Sequence, residues 1–184
     1  AISSTATGLA MRSTSSPTSA RHSTTSAEVG TETLILTWEE LNAHVEALAL
    51  QIQALPADQR PDAILAISRG GLVPGAMLAY RLGIRDLLIA VAEHYDAAGR
   101  RPEPTITRMP SDESLKGRSI LIVDEVWESG RTLALVAEQA RAPGPTVRTA
   151  VVHHKPGKSE VSGATAFFAA LADGWITYPY KGGE

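Results

Sequence analysis

The chain has 184 residues, which suits one domain of ordinary size with a short tail. It contains no cysteine, which excludes disulfide frameworks and thiolate sites, and no apolar run approaches the roughly 18 residues of a membrane-spanning helix. The formal net charge of -3 provides no long-range positive field, so we expect no nucleic-acid partner held by phosphate neutralisation.

Residues 1–32 differ in composition from the rest of the chain. Ser and Thr make up 14 of the first 30 residues, and only Arg12, Arg21 and Glu28 carry a formal charge. We interpret this stretch as a low-complexity, disordered tail, with an organelle transit peptide as the alternative. We favour the disordered tail, because residues 1–30 show little of the amphipathic pattern that transit peptides have. We therefore predict one folded domain over residues 33–184 and a cytoplasmic location.

The first predicted helix follows the short apolar run 34–36. Residues 37–40, Thr-Trp-Glu-Glu, have the spacing of a capping box with Thr37 as the N-cap. Apolar residues then recur at helical spacing, and Pro56 is predicted to end the helix. The members of this apolar stripe are Leu41, Val45, Leu48, Ile52 and Leu55.

Apolar runs and helical segments alternate in the rest of the chain. Helices are predicted from Pro74, as the first helical residue, to Gly83, and over residues 131–141. Residues 94–118 are polar with three prolines and are predicted to be a structureless lid or binding loop. Strands separated by helices predict an α/β fold with a mainly parallel central sheet, whose ligands bind beyond the carboxyl ends of the strands. The predicted strands cover residues 63–67, 87–92, 119–123, 147–152 and 165–168.

Chemistry-bearing residues are concentrated in residues 120–133. Asp124 and Glu125 follow a buried strand, and residues 128–132, Glu-Ser-Gly-Arg-Thr, open the next helix. A helix N-terminus with backbone N–H groups and hydroxyls forms a cradle for a phosphate. The acid pair would repel that phosphate and suits ribose hydroxyls or Mg²⁺ instead. The alternative is an ordinary helix start with acids near the dipole, but consecutive carboxylates ending a buried strand are costly without a ligand.

Residues 67–75 form a second candidate anion site. Gly70 and Gly71 follow a strand and allow close backbone approach, and Arg69 adds a forked cation. The alternative is a tight turn between strand and helix in another nucleotide-binding fold. The glycine spacing differs from the dinucleotide-binding pattern, and the Walker A lysine is absent.

Both segments resemble those of type I phosphoribosyltransferases. Residues 120–133 resemble the signature that binds phosphoribosyl pyrophosphate (PRPP), with Glu128 in place of the usual Asp and Ser129 in place of Thr. Residues 67–75 resemble the pyrophosphate loop, in which the peptide before the arginine position is often cis. Bacterial xanthine-guanine phosphoribosyltransferases are the most similar group, through residues 37–38, 155–156 and 173–176, Asp-Gly-Trp-Ile. The resemblance spans about residues 33–180.

The resemblance implies a fold with a mobile lid loop and a small C-terminal hood for base recognition. It implies Mg²⁺-dependent transfer of the phosphoribosyl group from PRPP to N9 of a 6-oxopurine, by a homodimer or homotetramer. Asp124 and Glu125 would bind the ribose hydroxyls and Mg²⁺, with Glu125 as the more direct metal ligand. The implied 5-phosphate residues are Glu128, Ser129, Gly130, Arg131 and Thr132, and the implied pyrophosphate residues are Ser68, Arg69, Gly70 and Gly71.

At the base end, the resemblance assigns each role to a single residue. Glu128 would accept the proton from purine N7, and Lys155 would donate to the oxygen at C6, which disfavours adenine. The hood would provide Trp175 to stack on the base and the carbonyl of Ile176 to face C2. Tyr95 resembles the aromatic residue of the lid.

Two alternatives stay open. The chain could be a non-catalytic, PRPP-binding regulatory protein of the same fold, or a phosphoribosyltransferase for another base. Lys181 follows Tyr180 where relatives tend to carry an acid that often assists a second metal ion. The sequence leaves the choice among guanine, xanthine and hypoxanthine undecided. His153 and His154 predict no metal site, because neighbouring side chains on a strand point to opposite faces.

Overall fold

A computed structural model describes residues 33–93, 103–162 and 165–182. The α-helices are α1 (Trp38–Gln53), α2 (Leu72–Leu82), α3 (Asp112–Leu115) and α4 (Arg131–Arg141). The strands are β1 (Leu34–Ile35), β2 (Ala63–Ser68), β3 (Asp86–Glu93), β4 (Thr105–Arg108), β5 (Ser119–Trp127), β6 (Thr146–His154), β7 (Phe167–Leu171) and β8 (Ile176–Thr177). Within these ranges, no helix combines the length and the apolar character needed to cross a bilayer.

The predicted α/β architecture with a mainly parallel sheet is confirmed. Six strands form one sheet in the order β4-β3-β2-β5-β6-β7, in which only the β3–β4 pair is antiparallel. The remaining strands, β1 and β8, pair with each other in a separate two-stranded parallel sheet. Because β2 to β5 to β6 run in the same direction, their carboxyl ends meet at one edge of the large sheet, where ligands bind in such folds.

The core lies on both faces of the large sheet. Ile64 of β2 packs with α1 and α2 on one face, whereas its neighbour Leu65 packs with α4 on the other. Alternate residues of a strand point to opposite faces, so a strand covered on both sides is apolar throughout. Residues 63–67 are accordingly all buried, as the continuous apolar run predicts.

The first helix forms as its capping signal predicts. Thr37 Oγ1 accepts a hydrogen bond from the amide of Glu40, and the Glu40 carboxylate accepts one from the amide of Thr37. The helix ends at Gln53, just before Pro56. Four members of the predicted stripe are buried: Leu41, Val45, Leu48 and Ile52.

The prediction of a structureless loop over residues 94–118 is wrong for its second half. Residues 105–108 pair antiparallel with β3 as the edge strand β4, and Ile106 packs against the core. Ser111 then caps α3, which buries Leu115. Both elements are short and polar, so a search for long apolar runs misses them. Residues 94–102, which include Tyr95, lie outside the described residues.

Several element boundaries also differ from the predictions. The strand predicted to end at residue 123 continues to Trp127, because it still pairs with β6 after its pairing with β2 has stopped at Val123. The last predicted strand begins at Phe167 rather than at Thr165, whose hydroxyl bonds to Thr149 instead. Pro74 is the third residue of α2, not the first. Gly83, with φ of 68°, ends that helix as predicted.

Candidate active site

A cavity of about 760 Å³ opens at the carboxyl edge of β5. It brings together six of the residues predicted from the 120–133 segment. A second wall comes from the turn after β6, which the sequence did not indicate. The lining residues are Asp124, Glu125, Val126, Glu128, Ser129, Gly130, Thr132, Leu133, Gly157, Lys158, Ser159 and Glu160.

The N-terminus of α4 provides the predicted anion cradle. Its first intrahelical hydrogen bond runs from the amide of Ala134 to the carbonyl of Gly130, so the amides of Thr132 and Leu133 have no helical partner. Gly130 has φ of 80° and lies against Trp127; a Cβ there would come within 2.3 Å of the indole ring. Glycine thus allows the loop to turn sharply beneath the cavity.

The side chain of Arg131 is directed to the rim rather than to the cavity wall. Its guanidinium lies 3.0 Å from a carboxylate oxygen of Glu103 and 2.6 Å from one of Glu160. Arg131 therefore joins the cradle to the segment that precedes β4 and to the turn after β6. A phosphate that recruits this guanidinium has to compete with these two acids.

The acid pair lies inside β5 rather than after it. Asp124 Oδ1 accepts a hydrogen bond of 2.8 Å from the amide of Glu125. Burial, with a smaller contribution from the charge of Glu125, raises the pKa of Asp124 to about 7, although that amide and the charge of Lys181 oppose the shift. Asp124 thus holds a proton over much of the acidic range and gains a full charge only above neutrality.

Glu125 is bound by two residues near the C-terminus that the sequence analysis did not assign to the site. Lys181 Nζ lies 2.6 Å from Oε1, and the Tyr180 hydroxyl donates to Oε2 over 2.7 Å. Burial and the Glu125 charge raise the pKa of Tyr180, so the phenol stays protonated as a donor. The Glu125–Lys181 contact joins residues that lie far apart in the chain, which is why local motif spacing does not reveal it.

The predicted pyrophosphate loop, residues 68–71, adjoins the acid pair. Its Ser68–Arg69 peptide bond is cis, and the Arg69 side chain is exposed. A Cβ on Gly70 would lie 2.5 Å from the Glu125 carboxyl carbon, and one on Gly71 would lie 2.2 Å from the carbonyl oxygen of Val123. The two glycines therefore let the loop lie directly against β5, which brings both sequence segments to one place.

Glu128 shares one carboxylate oxygen between two ammonium groups. Lys155 Nζ lies 3.3 Å and Lys158 Nζ 2.9 Å from Oε1. Burial disfavours the charge of Glu128, but the hydrogen bond from Lys158 and the charge of Lys155 outweigh it, so its pKa is lowered. Lys155 is only 3% exposed, so its ammonium lies in the protein interior rather than in solvent.

The two predicted hood residues lie next to each other at β8. Trp175 is 66% exposed, whereas the Ile176 side chain is buried in the core. The carbonyls of Trp175 and Thr177 accept hydrogen bonds from the amides of Leu34, in β1, and Leu36, just after it. Because these two carbonyls point towards the β1 segment, the carbonyl of Ile176 between them points to the opposite side of β8.

The adjacent histidines face opposite sides of β6, as predicted. His153 is buried and its Nδ1 lies 2.9 Å from the Tyr178 hydroxyl, which donates to the carbonyl of Glu125. Nδ1 therefore carries the proton, and burial lowers the pKa of His153 to about 4. His154 packs against Trp127 on the other side. Among the described residues, no three or more His, Cys, Asp or Glu side chains form a group that could hold a metal ion.

Comparison with known proteins extends over the same part of the chain. Residues 33–177 match the model of the phosphoribosyl transferase domain. A protein named xanthine-guanine phosphoribosyltransferase from Ruegeria sp. (strain TM1040) is 32% identical over 152 residues, which are 79% of this chain and 83% of that protein.

Two solved structures share the fold. A purine phosphoribosyltransferase from Pyrococcus horikoshii is 27% identical with a TM-score of 0.69, covering 83% of this chain and 95% of that one. A hypothetical protein from Neisseria gonorrhoeae with bound ppGpp is 26% identical with a TM-score of 0.71, covering 83% of this chain and 90% of that one.

Proposed function

This chain belongs to the phosphoribosyltransferase domain family, and we propose that it is a purine salvage enzyme acting on PRPP and a 6-oxopurine. The proposed products are the nucleoside monophosphate and pyrophosphate. The observation that carries the proposal is the Glu128–Lys155 pair beside the cradle at the start of α4. The named relatives, a xanthine-guanine and a purine phosphoribosyltransferase, support the same substrate class.

The Glu128–Lys155 pair matches one edge of a 6-oxopurine. On that edge the ring nitrogen N7 and the oxygen at C6 lie side by side. The two side chains, 3.3 Å apart, offer an acceptor for an N7 proton and a donor for the oxygen. A 6-amino group would instead face the buried ammonium of Lys155, donor against donor. The pair therefore favours guanine, xanthine or hypoxanthine over adenine.

PRPP would extend along the cavity from the cradle to the 68–71 loop. The 5-phosphate would bind residues 129–132 at the N-terminus of α4, where the helix dipole and the amides of Thr132 and Leu133 favour an anion. The ribose hydroxyls would bind Asp124 and Glu125. The pyrophosphate would bind the 68–71 loop, in which Arg69 provides the cation; the amide of Gly71 already donates to the carbonyl of Ile67. The contact between Gly70 and Glu125 supports placing the pyrophosphate next to the ribose hydroxyls.

The reaction breaks the bond between ribose C1 and pyrophosphate and forms the bond from C1 to purine N9. Positive charge develops on the ribose as the pyrophosphate leaves, and Arg69 would stabilise the departing anion. Glu128 would take the proton from N7, so that N9 becomes nucleophilic. When Lys155 turns to the purine oxygen, Glu128 loses one of the two ammonium partners that lower its pKa. Purine binding would thus make Glu128 a stronger base.

Asp124 and Glu125 fit a magnesium ion that arrives with PRPP. Mg²⁺ in such sites binds one or two carboxylates together with substrate phosphates, which agrees with the absence of a larger ligand group among the described residues. The family resemblance favours Glu125 as the direct ligand, whereas the bonds from Lys181 and Tyr180 to Glu125 favour Asp124. Bound there, the ion would neutralise charge on the pyrophosphate.

The proposal includes a homo-oligomer, a dimer or tetramer, in the cytoplasm. Tyr80 of α2 is 90% exposed, and Leu87 and Ile89 of β3 are also exposed. Apolar side chains exposed on neighbouring elements are typical of an interface between subunits. Light scattering coupled to gel filtration would show a mass of two or four chains, and a single chain would contradict this part.

Nucleotide synthesis separates the enzyme from the regulatory protein of the same fold. We would incubate the chain with PRPP, Mg²⁺ and guanine and detect the guanine nucleotide by chromatography, while calorimetry measures PRPP binding. Nucleotide formation that depends on all three supports the proposal. PRPP binding with no nucleotide from any base would favour the regulatory protein, and turnover of a base other than a 6-oxopurine would favour the other alternative.

A further inference from the structure

Lys181 neutralises an acid that lines the cavity. Its ammonium lies 2.6 Å from one oxygen of Glu125, and the Tyr180 hydroxyl binds the other oxygen over 2.7 Å. Glu125 is only 8% exposed, and an ionised carboxylate at that depth needs a counter-charge close by. Both oxygens of Glu125 are therefore already bound to donors of the protein itself.

The position of Lys181 is fixed by its neighbours. Its amide donates to the carbonyl of Tyr178, and its ammonium lies 5.5 Å from the centre of the Tyr178 ring. Tyr180 also places its hydroxyl 3.2 Å from the carbonyl of Gly70. The ammonium is thus held beside the acid pair and next to the loop that we assign to pyrophosphate.

We propose that Lys181 takes the place of a second divalent cation at Glu125. One divalent cation then binds with PRPP at Asp124, and the Lys181 ammonium binds the pyrophosphate group directly. This inference rests on the function proposed above. A dication that approached Glu125 would meet an ammonium already 2.6 Å from its ligand, so like charges would repel. Pyrophosphate, in contrast, carries several negative charges and is attracted to the same ammonium.

The test counts cations on the protein. Equilibrium dialysis with labelled Mn²⁺ and labelled pyrophosphate gives the ratio of the two on the protein side at saturation. We expect a ratio of one for the wild-type chain and for Lys181→Arg, which keeps the charge. Lys181→Met frees Glu125, so we expect its ratio to rise to two at high Mn²⁺. At low Mn²⁺ this variant should bind pyrophosphate about 10- to 100-fold more weakly, the loss typical of a hydrogen bond to a charged group.

The control is Lys116→Met, which removes an exposed lysine beside the start of β5, at the opposite edge of the sheet. It should leave both quantities unchanged. A ratio of two in the wild-type chain overturns the inference, and this result requires no variant to fold. An unchanged ratio and affinity in Lys181→Met overturns it as well. When either result overturns the inference about Lys181, turnover of a 6-oxopurine by the wild-type chain would leave the proposed function standing. If neither the wild-type chain nor any variant binds pyrophosphate or forms nucleotide, the proposed function itself is contradicted.

Discussion

Replacing Asp124 by Asn should stabilise the fold at pH 8 while it abolishes nucleotide synthesis. Burial raises the pKa of Asp124 from 3.8 to about 7, so the folded chain binds this proton more tightly than the unfolded chain does. The stabilisation from this proton is complete below pH 3.8 and is lost as the pH rises through 7. Above neutrality, the ionised carboxylate opposes folding. Asn removes the charge and keeps an oxygen to accept the hydrogen bond from the amide of Glu125.

The size of the effect follows from the shift in pKa. The pKa of Asp124 rises by about three, and at 1.36 kcal/mol for each step of one this gives an upper bound of about 4 kcal/mol for the gain in stability. Solvent reaches part of the side chain and reduces this bound, so we expect Asp124→Asn to raise the free energy of unfolding by about 1–3 kcal/mol at pH 8. The gain should shrink steadily towards pH 4. Removing a buried charge from a binding site commonly raises the free energy of unfolding, because such a charge serves function at a cost in stability.

Urea denaturation of the wild-type chain and of Asp124→Asn at pH 5, 6, 7 and 8 would measure this difference. Asp58→Asn, at an exposed position in the turn after α1, is the matched control and should show no such trend. A difference independent of pH, or a variant less stable than the wild-type chain at pH 8, would refute the reasoning. Loss of activity together with loss of stability would likewise show that Asp124 serves mainly to hold the fold together.

Three further predictions concern the base end of the site and the buried histidine. Glu128→Gln should lower kcat by about 10- to 10,000-fold, because a general base is lost, while the Kd for PRPP changes little. Steady-state kinetics would measure kcat, and calorimetry would measure the Kd. A near-normal kcat would show that Glu128 is not the general base. Lys155→Met should raise the KM for guanine and reduce the preference for guanine over adenine. Guanine kinetics equal to those of the control Lys116→Met would exclude Lys155 from the base site. The lowered pKa of His153, about 4 against 6.5, means that the wild-type chain should lose about 3 kcal/mol of stability as the pH falls from 6.5 to 4. In denaturation curves, the stability of His153→Gln should therefore fall less over this pH range. A pH profile of stability identical to that of the wild-type chain would contradict this prediction.

Local signals in the sequence were sufficient for the elements that the chain specifies over short distances. The capping box at Thr37 defines the start of α1, and the apolar run 63–67 defines a strand buried on both faces. The 120–133 segment combines its strand, acids and helix start within one stretch, so most of the cavity was predictable. These features depend on neighbours a few residues away, which a sequence displays directly.

The features that were missed depend on contacts between distant segments. The continuation of β5 to Trp127 depends on pairing with β6, and Lys158 and Glu160 line the cavity only because the turn after β6 folds over it. The contact of Lys181 with Glu125 likewise joins the end of the chain to its central strand. Burial of Lys155 follows from the same packing. No local periodicity carries this information.

Pyrophosphate release with different bases tests the central claim most directly. The purified chain would be given PRPP and Mg²⁺ with guanine, xanthine, hypoxanthine or adenine in separate reactions. The account predicts release with at least one 6-oxopurine and none above background with adenine, because Lys155 faces the group at C6. Release with adenine at a rate equal to that with the 6-oxopurines, or release with none of the four bases, would contradict it.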